Sequence, residues 1–118
     1  KRRMADRPLA VRTVEIPEGV ADFDRLEIRF GDGERAELSE REAELLRYLA
    51  ANSGRAVSRD ELISRVWRLN PRGLQTRTID MHITRLRAKL RDDPSDPQLL
   101  FTVRGKGYMF TTSEPAED

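Results

Sequence analysis

Residues 75–91 read Gln75-Thr76-Arg77-Thr78-Ile79-Asp80-Met81-His82-Ile83-Thr84-Arg85-Leu86-Arg87-Ala88-Lys89-Leu90-Arg91, between Asn70-Pro71-Arg72-Gly73 and Asp92-Asp93-Pro94. At about 100° per residue, Ile79, Ile83, Leu86 and Leu90 fall within an arc of about 60°, so the stretch predicts a helix with one narrow buried stripe. His82 lies beside that stripe. Opposite it stand Arg77, Met81, Thr84 and Ala88, with Thr78, Arg85 and Lys89 on one shoulder and Asp80, Arg87 and Arg91 on the other. A solvated surface helix ordinarily mixes charge signs to gain i,i+4 pairs. Here residues 67–91 carry seven bases and a single acid, Asp80. A crest of small or flexible residues flanked by guanidinium groups suits a helix lying in the major groove of double-stranded DNA. The crest can approach base edges and thymine methyls, while Arg and Thr on the flanks reach phosphates.

The segments on either side extend the pattern. Leu100-Phe101-Thr102-Val103 and Tyr108-Met109-Phe110-Thr111 enclose Arg104-Gly105-Lys106-Gly107, the arrangement of a β-hairpin with a basic tip. A thin loop with two cations suits the minor groove, where the phosphate field draws Arg. Gly105-Lys106-Gly107 lacks the spacing of a nucleotide-binding phosphate loop. Upstream, Ser39-Glu40-Arg41-Glu42 and Ser58-Arg59-Asp60-Glu61 both read as capping boxes. The first opens a helix with the stripe Leu45, Leu46, Leu49 and Ala50, closed by Asn52-Ser53-Gly54; the second opens one with Leu62, Ile63, Val66 and Trp67. Ala56-Val57 between them reads as a brief strand. From Val11 to Leu38 the chain alternates as strands do, with Leu26, Ile28 and Phe30 set against Glu27 and Arg29 and a turn at Gly31-Asp32-Gly33. The expected fold class is α+β: an N-terminal antiparallel β-meander of three or four strands, three helices and a C-terminal hairpin.

Composition narrows the chemistry. The 118 residues include 22 Lys+Arg, 21 Asp+Glu, one His and no Cys. Without Cys there is no disulfide framework, thiol nucleophile or Cys-ligated metal, and one His makes a multi-His metal site improbable. No apolar run is long enough to span a bilayer, so the expectation is a cytoplasmic protein with no membrane partner. The net charge of +1 conceals a segregation: residues 67–91 carry +6 and residues 99–113 carry +2, against −7 on the remainder. No cofactor, metal or catalytic residue is expected, because no pair of titratable groups is placed for acid–base work.

Residues 39–111 resemble the winged-helix effector domain of OmpR/PhoB-type bacterial response regulators. The resemblance rests on Leu38-Ser39 with Glu42 and Leu45-Leu46; Val57-Ser58-Arg59 with Leu62 and Val66-Trp67; Arg77 through Ile83 with Arg85-Leu86-Arg87 and Lys89-Leu90; and Thr102 through Tyr108. It implies a winged helix-turn-helix that binds double-stranded DNA in sequence-specific fashion. Phosphate contacts would come from Trp67, Arg77, Thr78, His82, Arg87 and Tyr108, and base contacts from Asp80, Met81, Thr84, Arg85 and Arg104. Residues Arg104, Gly105, Lys106 and Gly107 would form the wing, with Arg104 in the minor groove. The loop Arg68, Leu69, Asn70, Pro71, Arg72, Gly73 and Leu74 would offer a surface to RNA polymerase. The implied full-length protein adds a receiver domain and a cognate histidine kinase, so residues 1–10 are expected to be a linker from that receiver domain, 11–113 the DNA-binding domain and 114–118 an acidic tail. The isolated domain would be monomeric and form a tandem dimer on DNA. Thr84 stands where many relatives carry a base, and Met81 where a smaller residue is common, so base preference does not carry over. The rival reading is a winged-helix protein–protein interaction module with an apolar patch around Met81.

Overall fold

The computed structural model describes residues 12–111. The linker expected over residues 1–10 and the acidic tail expected over 114–118 lie outside the described residues. The meander has four strands, β1 Thr13–Ile16, β2 Gly19–Asp22, β3 Glu27–Phe30 and β4 Arg35–Glu37, joined antiparallel in chain order. The pairing Val14↔Ala21↔Ile28↔Ala36 puts one row of apolar side chains on the core face. The neighbouring rows carry the charged residues outward, as the two-residue side-chain period requires.

Helix α1 spans Glu40–Ala51, and Ser39 caps it with both arms of the capping box in place. Glu42 is buried, yet its carboxyl is held below its ordinary value. Burial alone would raise it, but the Lys89 ammonium at 2.6 Å and the Ser39 N–H outweigh burial. That ion pair ties α1 to the basic helix, α3, which spans Thr76–Leu90. The second helix differs from expectation in two ways. Helix α2 runs Arg59–Leu62 and continues through a π-helical turn, Ile63–Trp67, which ends at Arg68 in the left-handed conformation. Its capping box is half made: the Ser58 hydroxyl accepts the Glu61 N–H, but the Glu61 carboxylate turns to Arg55 and Tyr48. A guanidinium fork is the stronger donor, so it displaces the reciprocal backbone bond.

Ile79, Ile83, Leu86 and Leu90 are buried as the wheel requires, packed with Leu45, Leu46, Leu49, Leu62 and Ile63. Arg91 closes α3 in the left-handed region, with its guanidinium 3.7 Å over the Phe30 ring. Asp92 is buried next to it, and its carboxylate accepts the N–H groups of Gln98, Leu99 and Leu100. This carboxylate fixes the start of β5, Leu100–Val103, relative to the end of α3. Strand β6, Gly107–Phe110, pairs with β5 in the register Leu100↔Phe110 and Val103↔Gly107. The brief strand expected at Val57 is a bridge to Tyr108.

Candidate nucleic-acid interface

One face of α3 is in the core, and the opposite face carries Arg77, Met81, Thr84, Arg85 and Ala88, all exposed. Met81, at the centre of this crest, is 46% exposed. Gln75 caps α3 without a side-chain hydrogen bond, and its carbonyl accepts the Thr78 N–H at 2.9 Å. Across the turn Arg104-Gly105-Lys106 the wing tip is exposed, and Gly105 takes φ 78°, a conformation in which glycine carries no Cβ penalty. Among the described residues, Arg77, Arg85, Arg104 and Lys106 have no carboxylate within salt-bridge distance. Many of the other arginines do, including Arg29, Arg35, Arg55, Arg59 and Arg91. Unpaired cations therefore stand on the helix crest and the wing tip, where counterion release on phosphate contact is available to them.

Trp67, Thr78 and His82 form the shoulder of this face. The His82 ring stands edge-on to Trp67 at 5.0 Å, and its Nδ1 lies 2.9 Å from the Thr78 carbonyl. On the Trp67 ring rests the Arg41 guanidinium, 5.2 Å from the centroid, which also donates to the Val66 carbonyl at 2.7 Å. The π-helical turn delivers Trp67 to this position. The loop Arg68–Leu74 continues from it: the Asn70 side chain accepts the Arg72 N–H, Pro71–Gly73 forms a single 3-10 turn, and Leu69 is 44% exposed.

Five of the expected contact residues have polar groups engaged within the protein: His82 through its Nδ1, Thr84, whose hydroxyl donates to the Asp80 carbonyl at 3.0 Å, and Tyr108, Asp80 and Arg87. The Tyr108 ring is buried and its hydroxyl donates to Asp80, which also accepts from Arg59 Nε at 2.7 Å. Arg87 donates to the Leu100 carbonyl at 3.0 and 3.1 Å and to the Thr102 hydroxyl at 2.9 Å. Tyr108 and Arg87, expected at phosphates, and Asp80, expected at a base, all lie at the seam between α3 and the wing. Burial raises the Tyr108 phenol above its ordinary value, and the neighbouring Asp80 carboxylate raises it further. For Asp80 burial acts upward, but bonds from Tyr108 and Arg59 prevail and hold it low, so it stays an anion. Arg59 stands in the Val57-Ser58-Arg59 motif, but nothing local in the sequence marks its pairing with Asp80, 21 positions away.

Among the described residues no cluster of His, Asp and Glu is arranged to hold a metal ion. None of their helices is long and apolar enough to cross a membrane.

Comparison with known proteins agrees with this geometry. The family described as "Transcriptional regulatory protein, C terminal" matches residues 33–110. The "Probable transcriptional regulator ycf27" of Galdieria sulphuraria is 47% identical over 90 residues, covering 75% of this chain and 35% of that protein. The "Sensory transduction protein RegX3" of Mycolicibacterium smegmatis is 48% identical over 77 residues, 65% of this chain and 33% of that protein. The chain thus spans about a third of the length of these curated relatives. Among solved structures, the Klebsiella pneumoniae RstA DNA-binding domain in complex with the RstA box superposes with a TM-score of 0.74 at 31% identity, covering 87% of this chain and all of that one. The Thermotoga maritima response regulator DrrB, an OmpR/PhoB homolog, gives 0.71 at 32% identity, covering 85% of this chain and 44% of that one. With a family match across about two-thirds of its length, and motifs that fall on a buried stripe, an exposed crest and a wing, this chain belongs to the OmpR/PhoB-type family of transcriptional regulatory protein C-terminal domains.

Proposed function

We propose that the chain is the sequence-specific double-stranded-DNA-binding effector domain of a two-component transcriptional response regulator. The observation that carries this reading is the outward face of α3, where exposed Met81 is surrounded by unpaired Arg77 and Arg85. In this reading α3 enters the major groove, Met81, Thr84 and Arg85 meet base edges, and Arg104 enters the minor groove from the wing. Arg77, Thr78, Trp67 and His82 hold phosphates, aided by the N-terminal N–H groups of α3. The RstA domain, which binds its box as a domain of this fold, supports this arrangement. An apolar docking surface would need large apolar neighbours for Met81, but the exposed positions around it are Arg77, Thr84, Arg85 and the small Ala88. That favours DNA over a protein partner. The reading assigns the domain no catalytic step.

The same proposal extends to wider roles, with which the names of the relatives, a transcriptional regulator and a sensory transduction protein, are in keeping. In the full-length protein a receiver domain and its cognate histidine kinase control this domain in the cytoplasm. It binds tandem half-sites as a pair while remaining monomeric when isolated, and the loop Arg68–Leu74, with Leu69 exposed, faces RNA polymerase. Selection from a random duplex pool identifies the preferred site and tests the assignment of roles. Arg77→Ala should weaken selected and random duplexes alike, whereas Arg85→Ala should lose about 1–3 kcal/mol mainly on the selected site. Failure to enrich any sequence, or equal losses on both duplexes for both variants, would contradict the reading.

A further inference from the structure

The seam between α3 and the wing holds an arrangement that direct DNA contact does not explain. An acid on the DNA-facing side of a recognition helix repels phosphates, yet Asp80 is the one acid between residues 67 and 91. Its carboxylate is neutralised from within the protein by Arg59 of α2, whose guanidinium also lies 3.4 Å from the Tyr108 hydroxyl and 5.1 Å over the Tyr108 ring. Tyr108 belongs to β6 and completes the triangle by donating to Asp80. Three elements distant in the chain thus meet at one carboxylate oxygen.

The wing needs such an anchor. It is a two-stranded sheet, and an isolated hairpin of that kind is marginally stable, so contacts with the rest of the domain must set its direction. Two of these contacts act at the backbone. Val57 and Tyr108 exchange N–H···O bonds of 2.7 and 2.9 Å, and Arg87 reaches the Leu100 carbonyl. Together they hold the base of the wing, while the Asp80 bonds join it by side chains to the helix that reads the groove. We infer that Arg59, Asp80 and Tyr108 are positioning residues that latch the wing to α3, fixing the angle at which the wing tip and the helix crest meet one duplex. Asp80 therefore acts through the wing rather than on a base. A preorganised angle spares the ordering cost that a swinging wing would incur on binding. This inference rests on the proposed DNA-binding reading.

The test is a set of double-mutant cycles on the 118-residue chain, measuring affinity for a duplex of about three helical turns, ~30 base pairs. Arg104→Ala removes the wing's DNA contact, and Asp80→Ala, Tyr108→Phe and Arg59→Lys each weaken the latch. Asp80→Ala alone mixes loss of an anion with release of the wing, and the cycle isolates the second effect. Tyr108→Phe changes no charge and keeps the ring, so it supplies the same test with the fold least disturbed. If the latch aims the wing, Arg104→Ala costs about tenfold in the parent chain but at most about threefold in the Asp80→Ala or Tyr108→Phe background, with Arg59→Lys between. Additive losses in every background would overturn the latch while leaving DNA binding intact, because they would mean Asp80 and the wing act independently. Absence of binding by the parent chain would instead overturn the underlying reading.

Discussion

Glu61 shows how a single side chain sets a local balance. Arg55 grips its carboxylate at 2.7 and 3.1 Å, and the Tyr48 hydroxyl donates to it as well; against the upward push of burial they bring its pKa from 4.5 down to about 2. A folded-state value below the unfolded one gives stability that is present above about pH 4.5 and is lost as pH falls toward 2. The thermal midpoint of the parent chain should therefore fall more steeply between pH 5 and pH 2 than that of Glu61→Gln. The variant should be the less stable at pH 7, with the gap closing near pH 2. Parallel curves would show that the grip contributes nothing. This role was not legible in the sequence, where Glu61 read as the second half of a capping box; the competing donor, Arg55, lies outside the helix. Met81 and the Ile79–Leu90 stripe were legible, because helical period alone decides which side of α3 meets the core.

At the scale of elements, the wing depends on close backbone approach. A Cβ on Gly107, at φ 143°, would lie 2.0 Å from the Val57 carbonyl oxygen, while one on Gly105, at φ 78°, would meet nothing within 4 Å. Gly107→Ala should cost more than about 2 kcal/mol and release the Val57–Tyr108 bridge. Gly105→Ala should cost only about 1 kcal/mol, the left-handed penalty, and leave the bridge intact. Urea denaturation of the two variants checks the difference, and equal losses would contradict it. The meander, α1, α3 and the hairpin were legible from alternation, helical period and turn residues, although alternation left the meander at three or four strands. The π-helical turn at Ile63–Trp67 was not, because its apolar positions also fit an α-helix and the extra residue per turn leaves no mark in composition. Asp92 was equally hidden. In sequence it is one of three acids in a terminating loop, whereas in the fold it is a buried cap for the strand that begins the wing.

At the scale of the whole molecule, the segregation of charge becomes a division of surfaces. Outside the interface, ion pairs such as Arg29 and Arg35 with Glu27, and Arg91 with Asp32, satisfy many of the cations locally. The helix crest and wing tip keep Arg77, Arg85, Arg104 and Lys106 unpaired among the described residues, as Arg68 and Arg72 of the adjoining loop and Arg47 and Arg65 elsewhere also are, so a near-neutral chain still presents a strongly basic face. Its net charge said nothing about a nucleic-acid partner; the position of each charge did. The most direct test is a duplex titration repeated over a range of salt concentrations. The four proposed phosphate holders, with the leading N–H groups of α3 and Lys106 of the wing, amount to about five to eight phosphate contacts, which predict that log K falls against log salt with a slope of roughly −4 to −7. A slope near zero, or no binding at low salt, would contradict the account.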